Sequence, residues 1–240
     1  AARAGCHLFI EKPLAHRLLE ASRLAKLCEK KKLITFTGCN LRFHPCIAFI
    51  NHYIKEKRLG VVYGIHHEFG YYLPRWREGI DYRTNYAVRK KEGGGIILDD
   101  IHEFDLLFWF AGFPKVKESK FIFSKSGSLE GDTEDNCIAS FKFENGILCS
   151  VRCDYLQQRY SRTCKVVGEN GNLYWDFHEI SVWLETEQMR EDLFSVEKYD
   201  INSMYLEEVA YFLDCVAKKR HTENEVSRAL EVLRYCVERR

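Results

Sequence analysis

The sequence predicts an α/β segment followed by an α+β domain, that is, the closing part of a doubly wound domain and then an open, mainly antiparallel sheet with helices on one face. Helix and strand patterns alternate up to about residue 37, which is typical of βαβ units. Beyond that point strand patterns succeed one another with few helices between them, which is typical of an antiparallel sheet. We therefore assign residues 1–37 to a first domain and residues 38–240 to a second.

The first domain is predicted to contain two short strands around one helix. Residues 8–10 and 33–37 are apolar or β-branched, and residues 16–31 carry apolar side chains at helical spacing. The stretch from Ala1 to Gly5 resembles the middle and exit of a helix. This order predicts parallel strands joined by a crossover helix.

The second domain is predicted to contain a helix over about 45–56, a helix near residue 99, and two C-terminal helices from about Met204 and Thr222. The dipeptide Asn145-Gly146 marks a hairpin. The strands are predicted at about 61–69, 116–123, 135–143, 147–156, 161–168, 171–176 and 180–185.

Composition narrows the class of partner. The 240 residues are 46% hydrophobic with a formal net charge of +1. A chain of this size can bury one sizeable core or two modest ones. Near-neutral charge argues against nucleic acid or a membrane surface as a partner, and no apolar run approaches the roughly 20 residues of a spanning helix. We therefore expect a small-molecule partner.

The ten cysteines contain no Cys-x-x-Cys pair and lie within apolar patterns, which indicates buried thiols in a reducing cytoplasm. We predict no metal site. An alternative would combine the adjacent histidines His66 and His67 with Asp99 and His102 as ligands for zinc or iron. Neighbouring residues on a strand point to opposite faces, which argues against that set.

Three glycines, Gly93 to Gly95, precede a predicted helix that carries Asp99 and His102. Residues three apart on a helix are surface neighbours, so we expect these two side chains to share one face. A neutral imidazole near a helix N-terminus can accept a proton, and a nearby carboxylate can hold a substrate hydroxyl. The plainer alternative is an N-capping aspartate and a core histidine.

A second motif, Glu11-Lys12-Pro13, follows the apolar end of the first predicted strand. Proline disfavours a helical conformation for the residue before it, so Lys12 is expected to be extended. Ligands of open α/β sheets bind outside the carboxyl ends of the strands, where this lysine would lie. Lysine and glutamate are also common on plain solvated surfaces.

These motifs resemble the Gfo/Idh/MocA oxidoreductases in order and separation. The resemblance covers essentially the whole chain. It runs through Glu11-Lys12-Pro13, residues 38–45, the triple glycine with Asp99 and His102, residues 166–176 and the helix near Tyr205.

The resemblance implies a closing part of a Rossmann domain and oxidation or reduction of a sugar, amino sugar or cyclic polyol with NAD or NADP. It implies that Lys12 lies beside the nicotinamide and the reacting carbon, that Asp99 holds a hydroxyl, and that His102 moves the proton. It also implies a homodimer or homotetramer formed through the open face of the sheet. The residues expected at the cofactor are Glu11, Lys12, Pro13, Asn40 and Arg42.

Two departures from the family pattern matter. Only two residues separate Asp99 from His102, where many members have three, so Asp100 is a rival to Asp99. The phosphate-binding glycine loop of the family is absent from these residues. Because that loop anchors the pyrophosphate, we expect a fragment of a longer enzyme that binds dinucleotide poorly and is inactive alone.

The stretch 70–92, here called the arm, is rich in tyrosine, tryptophan and arginine just ahead of the Asp99 helix. Aromatic faces stack on sugars and guanidinium groups bind acidic substituents, so we predict substrate contacts from Tyr86. The segment Tyr72-Leu73-Pro74-Arg75-Trp76 of the arm resembles a subset of the family, and residues 154–159 resemble another stretch of that subset. This resemblance implies that Tyr155 and Arg159 face the substrate. Packing or an oligomer contact is an equal alternative for the arm.

Asn40 and Arg42 lie where the first domain passes to the second, and such crossings often line a ligand cleft. Arg42 could instead form a structural salt bridge. Two other functional classes stay open for the whole chain: a non-catalytic sugar-binding or oligomerising domain, and an NAD-assisted or metal-dependent glycosidic hydrolase.

Overall fold

The computed structural model describes residues 1–238. Within them the α-helices are α1 (Leu18–Lys30), α2 (Pro45–Lys55), α3 (Ile96–Asp99), α4 (Ile101–Ala111), α5 (Asn202–Ala217) and α6 (Val226–Glu238). The strands are β1 (Leu8–Ile10), β2 (Thr35–Thr37), β3 (Val62–Tyr72), β4 (Val116–Ser124), β5 (Asn136–Phe143), β6 (Leu148–Asp154), β7 (Leu156–Gly168), β8 (Gly171–Asp176), β9 (Ser181–Glu185) and β10 (Arg190–Ser195). They form two compact units, residues 1–44 with residues 200 onward, and residues 45–199.

In the first unit β1 and β2 pair in parallel, with Leu8 opposite Thr35 and Ile10 opposite Thr37. α1 connects these strands and packs against α6. The helix α1 and the parallel pair confirm the predicted βαβ order. Residues Ala2–Ala4 form a short 3-10 turn that ends at Gly5, where the φ angle of +86° suits glycine.

The two closing helices group with this first unit rather than with the second domain, so the predicted division at residue 38 differs from the compact units. The physical reason is their apolar face. Phe212 and Cys215 of α5 are buried against Phe36 of β2 and against Ile34, which precedes that strand. Residues 200–240 were predicted to belong to the second domain only because they follow its strands in the sequence.

The linker between α5 and α6 covers the free edge of β2. Thr222 Oγ1 donates to the carbonyl oxygen of Thr35 at 2.5 Å, and the Thr37 amide donates to the carbonyl of Asn224 at 2.9 Å. Asn224 Nδ2 donates back to the Thr37 carbonyl at 2.6 Å. An uncovered strand edge would leave these backbone groups without protein partners.

The second unit is built on an eight-stranded sheet in the order β10-β9-β8-β7-β3-β6-β5-β4. Every neighbouring pair is antiparallel except β3 and β6, which are parallel. The predicted mainly antiparallel sheet is therefore confirmed. β10 was not predicted, because its sequence Arg-Glu-Asp-Leu-Phe-Ser is mostly charged or exposed, as is common for an edge strand.

Helices cover one face of this sheet, as predicted. α4 packs against β3 and β6, and α2 packs against α4, β9 and β10. Phe104 and Phe108 of α4 meet Phe141 of β5 at ring centroid distances of 6.4 and 5.5 Å. The opposite face carries exposed apolar side chains, since Ile122 and Ile138 lie opposite each other and are 62% and 49% exposed.

Two local features differ from prediction. β3 continues to Tyr72, so the first residues of the arm are strand, and short 3-10 turns make up part of the rest. The helix expected through Asp99 and His102 is interrupted at Asp100, where φ is −104° and ψ is +34°. Both the Asn145-Gly146 hairpin and the seven predicted strands are present.

None of the ten cysteines forms a disulfide, and nine of them are buried. Over residues 1–238 no helix combines the length and the apolar character that crossing a bilayer requires.

Candidate functional site

The carboxylate of Asp99 lies at the centre of three tyrosine hydroxyls in the second unit. Tyr155 and Tyr71 donate to Oδ2 at 3.0 and 3.2 Å, and Tyr86 donates to Oδ1. Asp99 itself is half-buried. Carboxylate and phenol oxygens are groups that hydrogen-bond hydroxyls, so the arrangement can hold a polyhydroxylated ligand.

Each tyrosine comes from a different element. Tyr71 lies on the inner face of β3 two residues after Phe69, which is buried on the same side. Tyr155 follows the end of β6, and its carbonyl accepts from the Leu73 amide at 3.1 Å. Tyr86 begins a 3-10 turn in the arm. Residues far apart in sequence therefore converge on one carboxylate.

The triple glycine allows the arm to approach the helix. A Cβ atom on Gly94 would lie 2.0 Å from the carbonyl oxygen of Tyr86 and 2.6 Å from that of Ala87. The amide of Gly95 donates to the Ala87 carbonyl at 2.7 Å. Only a residue without a side chain fits at position 94, and this contact keeps Tyr86 beside Asp99.

The three phenols remain hydrogen-bond donors across the physiological pH range. Burial and the nearby carboxylates of Asp99 and Asp100 raise the pKa of Tyr71, Tyr86 and Tyr155. The physical cause is that phenolate is disfavoured both by desolvation and by neighbouring negative charge.

His102 lies in the first turn of α4, one residue beyond the start of that helix, and is half-buried. Asp99 ends α3, so the expectation that both residues share the face of one helix is wrong. The break at Asp100 makes Asp99 the last residue of one short helix and His102 the second residue of the next. Asp100, the rival carboxylate, is buried at the break and is 5% exposed.

Next to His102, Glu103 is the centre of a buried ionic cluster. Its Oε1 lies 3.0 Å from Nε of Arg162, and its Oε2 lies 3.3 Å from Nδ1 of His67. The guanidinium of Arg162 also stacks 3.8 Å above the ring of Phe69, which is its neighbour across β3 and β7. The cluster fixes the first turn of α4 to the sheet.

The charges of this cluster support one another. Burial alone would raise the pKa of Glu103, but Arg162 and His67 hold it below its ordinary value. Burial alone would lower the pKa of His67, but Cys164 and Glu103 raise it to about 10. A carboxylate between two cations is the arrangement that buried charge requires.

Aromatic rings extend from Asp99 toward a separate cavity. The Tyr71 ring lies 4.4 Å from Trp76, and Trp76 lies 6.0 Å from Tyr160 with only 9° between the ring planes. The Tyr160 hydroxyl accepts a 2.9 Å hydrogen bond from Arg162. Trp76 is 47% exposed, so part of this aromatic surface is accessible to a ligand.

Beyond Tyr160 lies a polar cavity of 590 Å³ formed by the start of β7 and the turn between β8 and β9. The predicted residue Arg159 lines this cavity rather than contacting Asp99. The cavity is lined by Gln157, Gln158, Arg159, Tyr160, Ser161, Asp176, His178 and Glu179.

The first unit holds the predicted cofactor residues. Glu11, Lys12 and Pro13 follow β1, and Gly38 follows β2, where its amide donates to the Ile10 carbonyl at 2.7 Å. A Cβ atom on Gly38 would lie 3.4 Å from Glu11 Oε2, so the two segments are adjacent. The carboxyl ends of two parallel strands thus place these groups together.

Asn40 and Arg42 are both buried in the following 3-10 turn. Arg42 donates to the carbonyl of Glu223 at 3.4 Å and to Oδ1 of Asn224 at 3.3 Å. These hydrogen bonds join the turn to the linker of α5 and α6. A cofactor contact by either residue stays a prediction.

One ionisable residue near the Glu11 motif had no sequence signal. Glu208 of α5 is buried, and burial together with the Glu11 carboxylate raises its pKa to about 7. The sequence shows only a glutamate on an amphipathic helix.

The structure thus brings Tyr86, Asp99 and Tyr155 together, and it places Arg159 in the adjoining cavity. Lys12 belongs to the first unit and His102 to the second, so their convergence stays a prediction. The buried ion pair of Glu103 with Arg162, next to His102, was not predicted from the sequence. Among residues 1–238 no group of three His, Cys, Asp or Glu side chains is arranged to hold a metal ion.

Two family models match the chain. Residues 47–174 match the GFO/IDH/MocA C-terminal domain, and residues 1–39 match an oxidoreductase family with an NAD-binding Rossmann fold. Myo-inositol 2-dehydrogenase of Thermotoga maritima is 28% identical over 229 residues, which is 88% of this chain and 63% of the relative. The 1,5-anhydro-D-fructose reductase of Ensifer adhaerens is 27% identical over 72% of this chain and 50% of its own length.

Solved structures share the fold. A levoglucosan dehydrogenase in complex with NADH and levoglucosan has a TM-score of 0.84 at 16% identity, covering 99% of this chain and 72% of that one. The UDP-N-acetylglucosamine 3-dehydrogenase of Acidithiobacillus ferrooxidans has a TM-score of 0.78 at 19% identity, covering 99% of this chain and 70% of that one.

The chain spans less than two thirds of the length of the two curated relatives, namely 63% of the myo-inositol 2-dehydrogenase and 50% of the 1,5-anhydro-D-fructose reductase. With more than half of its residues matched by the C-terminal domain model, the chain belongs to the GFO/IDH/MocA oxidoreductase family.

Proposed function

We propose that this chain carries the substrate site of an NAD- or NADP-dependent dehydrogenase that acts on a hydroxyl or keto carbon of a sugar, amino sugar or cyclic polyol. The family assignment and the sugar- and polyol-specific names of its relatives support this class. The three tyrosine hydroxyls around Asp99 are the observation that carries the proposal, because they group phenol and carboxylate oxygens of the kind that hydrogen-bond sugar hydroxyls.

The residues of the first unit fit a nicotinamide cofactor. Glu11 and Gly38 lie side by side at the carboxyl ends of two parallel strands, which is where dinucleotides bind open α/β sheets. We propose that Glu11, Lys12, Pro13, Asn40 and Arg42 hold its nicotinamide end. When bound, the cofactor supplies hydride exchange.

In this proposal Lys12 stabilises negative charge that develops on the substrate oxygen, because an ammonium aimed at that atom favours the transition state. His102 accepts or returns the hydroxyl proton, as a positioned imidazole can. Asp99 orients the hydroxyl, with Tyr155 and Tyr86 holding the carboxylate in place. Glu103 positions the turn that carries His102 through its ion pair with Arg162.

Sugar binding by the 240-residue chain tests the substrate half of the proposal. Saturation-transfer NMR and calorimetry with monosaccharides, uronic acids and cyclic polyols should detect binding that Asp99→Asn weakens about tenfold or more, since one carboxylate acceptor is lost. Asp192→Asn alters an exposed carboxylate of β10 and is the matched control. Binding that survives Asp99→Asn unchanged would contradict the placement of the site.

Enzyme activity tests the second half of the proposal, which is the nicotinamide-dependent reaction. The full-length enzyme should change the absorbance of reduced nicotinamide with at least one sugar, uronic acid or nucleotide sugar of a panel. A protein that binds sugars yet never oxidises or reduces them, with either cofactor, would be the non-catalytic sugar-binding domain considered above.

We also propose that the open sheet face joins two copies into a homodimer or homotetramer. Ile122 and Ile138 face each other across β4 and β5, and Leu148 of β6 is 55% exposed on the neighbouring strand. Exposed apolar side chains grouped on one sheet face favour an interface. Light scattering should give the mass of at least a dimer, and Ile138→Lys should shift the measured mass toward that of a monomer.

We propose a cytoplasmic location, which accords with the ten cysteines that form no disulfide.

A further inference from the structure

The polar cavity beside Tyr160 is not accounted for by an oxidoreductase site centred on Asp99. It lies between residues 157–161 at the start of β7 and residues 176–179 in the turn from β8 to β9. A cavity of 590 Å³ is within the usual range for small-ligand sites. Its lining and its connection to Asp99 indicate what it could bind.

The walls of the cavity are ordered by hydrogen bonds. His178 Nε2 lies 2.7 Å from the Tyr160 carbonyl oxygen. Because a carbonyl can only accept, Nε2 is the donor of this hydrogen bond. The amide of His178 donates to Asp176 Oδ1 at 2.7 Å. These contacts fix the turn against β7 and hold polar groups at the cavity.

The charges of the lining favour a neutral ligand. Arg159 contributes a positive charge, Asp176 and Glu179 contribute negative charges, and the Glu179 carboxylate is paired with Arg190 at 3.8 Å. The lining thus carries both signs of charge and offers no excess of positive charge that would attract a phosphate or carboxylate. Hydroxyl groups, by contrast, both donate and accept, and so match carboxylates, amides and a guanidinium together.

An aromatic surface connects the cavity to Asp99. Tyr160 lines the cavity, Trp76 lies nearly parallel to it at 6.0 Å, and Tyr71 contacts Trp76 at 4.4 Å. Tyr71 in turn donates to Asp99. Aromatic rings offer apolar faces on which the C–H faces of a sugar can pack, and Trp76 is about half exposed.

We infer that this cavity is a second sugar subsite, which receives a neutral glycosyl unit attached to the sugar held at Asp99, with Trp76 as the stacking surface between the two. The substrate is then a glycoside or disaccharide rather than a free monosaccharide. The inference rests on the proposed sugar binding at Asp99. Arg159, expected at the reacting sugar, is assigned here to the attached unit.

The test compares matched pairs of sugars on the 240-residue chain. Each monosaccharide that binds is measured by calorimetry or saturation-transfer NMR beside disaccharides in which a neutral hexose is attached to it through different positions. At least one disaccharide should bind about tenfold more tightly than its monosaccharide. Trp76→Ala and Gln158→Ala should reduce that ratio toward one, while Gln188→Ala, which changes an exposed glutamine in the turn before β10, should leave it unchanged.

The possible outcomes separate the two proposals. If monosaccharides bind through Asp99 but no attached hexose improves binding, the subsite is excluded and the proposed function stands. A disaccharide gain that persists in both Trp76→Ala and Gln158→Ala would also overturn the subsite. If no sugar binds at all, the proposed function fails and the subsite with it. Circular dichroism of each variant shows whether the variant is folded, so that a reduced ratio of disaccharide to monosaccharide affinity can be told apart from unfolding.

Discussion

The hydroxyl of Tyr155 donates a 3.0 Å hydrogen bond to Oδ2 of Asp99, and Tyr71 donates to the same oxygen at 3.2 Å. Tyr155 is 1% exposed, so its hydroxyl has few alternatives in water. The hydrogen bond between Tyr155 and Asp99 joins the end of β6 to the end of α3 and lies at the floor of the proposed sugar site.

Tyr155→Phe should lower the free energy of unfolding by about 1–3 kcal/mol, because a half-buried carboxylate loses one of its donors. Tyr174→Phe is the matched control, since Tyr174 stacks on Trp183 and no hydrogen bond of its hydroxyl is seen within residues 1–238. The control should change stability by less than about 0.5 kcal/mol. Urea denaturation measures both, and equal losses would show that the hydrogen bond to Asp99 carries no particular weight.

Glu103→Gln should be more severe. The substitution removes the negative charge between Arg162 and His67, and leaves two buried groups that favour positive charge. Removing one partner of a buried ion pair typically costs about 3–5 kcal/mol. Glu92→Gln breaks an exposed pair with Arg89 and should cost less than about 1 kcal/mol. A loss at Glu103 no larger than at Glu92 would mean that water reaches the cluster.

The free energy of unfolding of the chain should depend on pH through Glu208, whose pKa is affected by Glu11. Its folded pKa of about 7 is raised above the ordinary value of 4.5, so the folded state binds the proton more tightly than the unfolded state. Its contribution is therefore fully present below about pH 4.5 and is lost as the pH rises through 7. The loss is about 1–3 kcal/mol, from the size of the shift.

Glu208→Gln should accordingly stabilise the chain at pH 8.5 and have a smaller effect at pH 5. Glu207→Gln, on the exposed side of the same helix, is the control and should show no such difference. Thermal unfolding at the two pH values provides the measurement. A wild-type to Glu208→Gln difference that does not vary with pH would place the titration elsewhere.

How far the sequence could predict this molecule depends on which signals are local. Alternation predicted that His66 and His67 point to opposite faces of their strand, and in the structure His66 is exposed and His67 is buried. The same alternation puts Tyr71 on the side of His67. The Asn145-Gly146 hairpin needed only two residues. The Asp99 site was predicted from its motifs, among them the triple glycine before a short helix. The structure gives the reason for one of these glycines, since a side chain at Gly94 would collide with the carbonyl oxygen of Tyr86.

The rest depended on tertiary contacts. Glu103 and Arg162 are distant in sequence, and each alone reads as a surface charge; only the pairing of β3 with β7 brings Arg162 over Phe69 and toward α4. The break at Asp100 changed two residues on one predicted face into residues on two helices. The grouping of α5 with β1 and β2 likewise follows from the burial of Phe212 and not from its position in the chain.

The last prediction concerns His102 in the full-length enzyme. His102→Ala should lower kcat by about 10²- to 10⁴-fold, because a positioned general acid or base contributes that much. The Kd for the cofactor should change by less than about twofold, since binding of the dinucleotide rests on residues of the first unit in the proposal. His66→Ala is the matched control: His66 lies on the exposed side of β3, where its Nδ1 is 2.8 Å from Ser150 Oγ, and its loss should leave kcat unchanged. Stopped-flow fluorescence gives the cofactor Kd and steady-state absorbance gives kcat. Equal losses of turnover and cofactor affinity in His102→Ala would assign this histidine to the architecture of the site instead of to proton transfer.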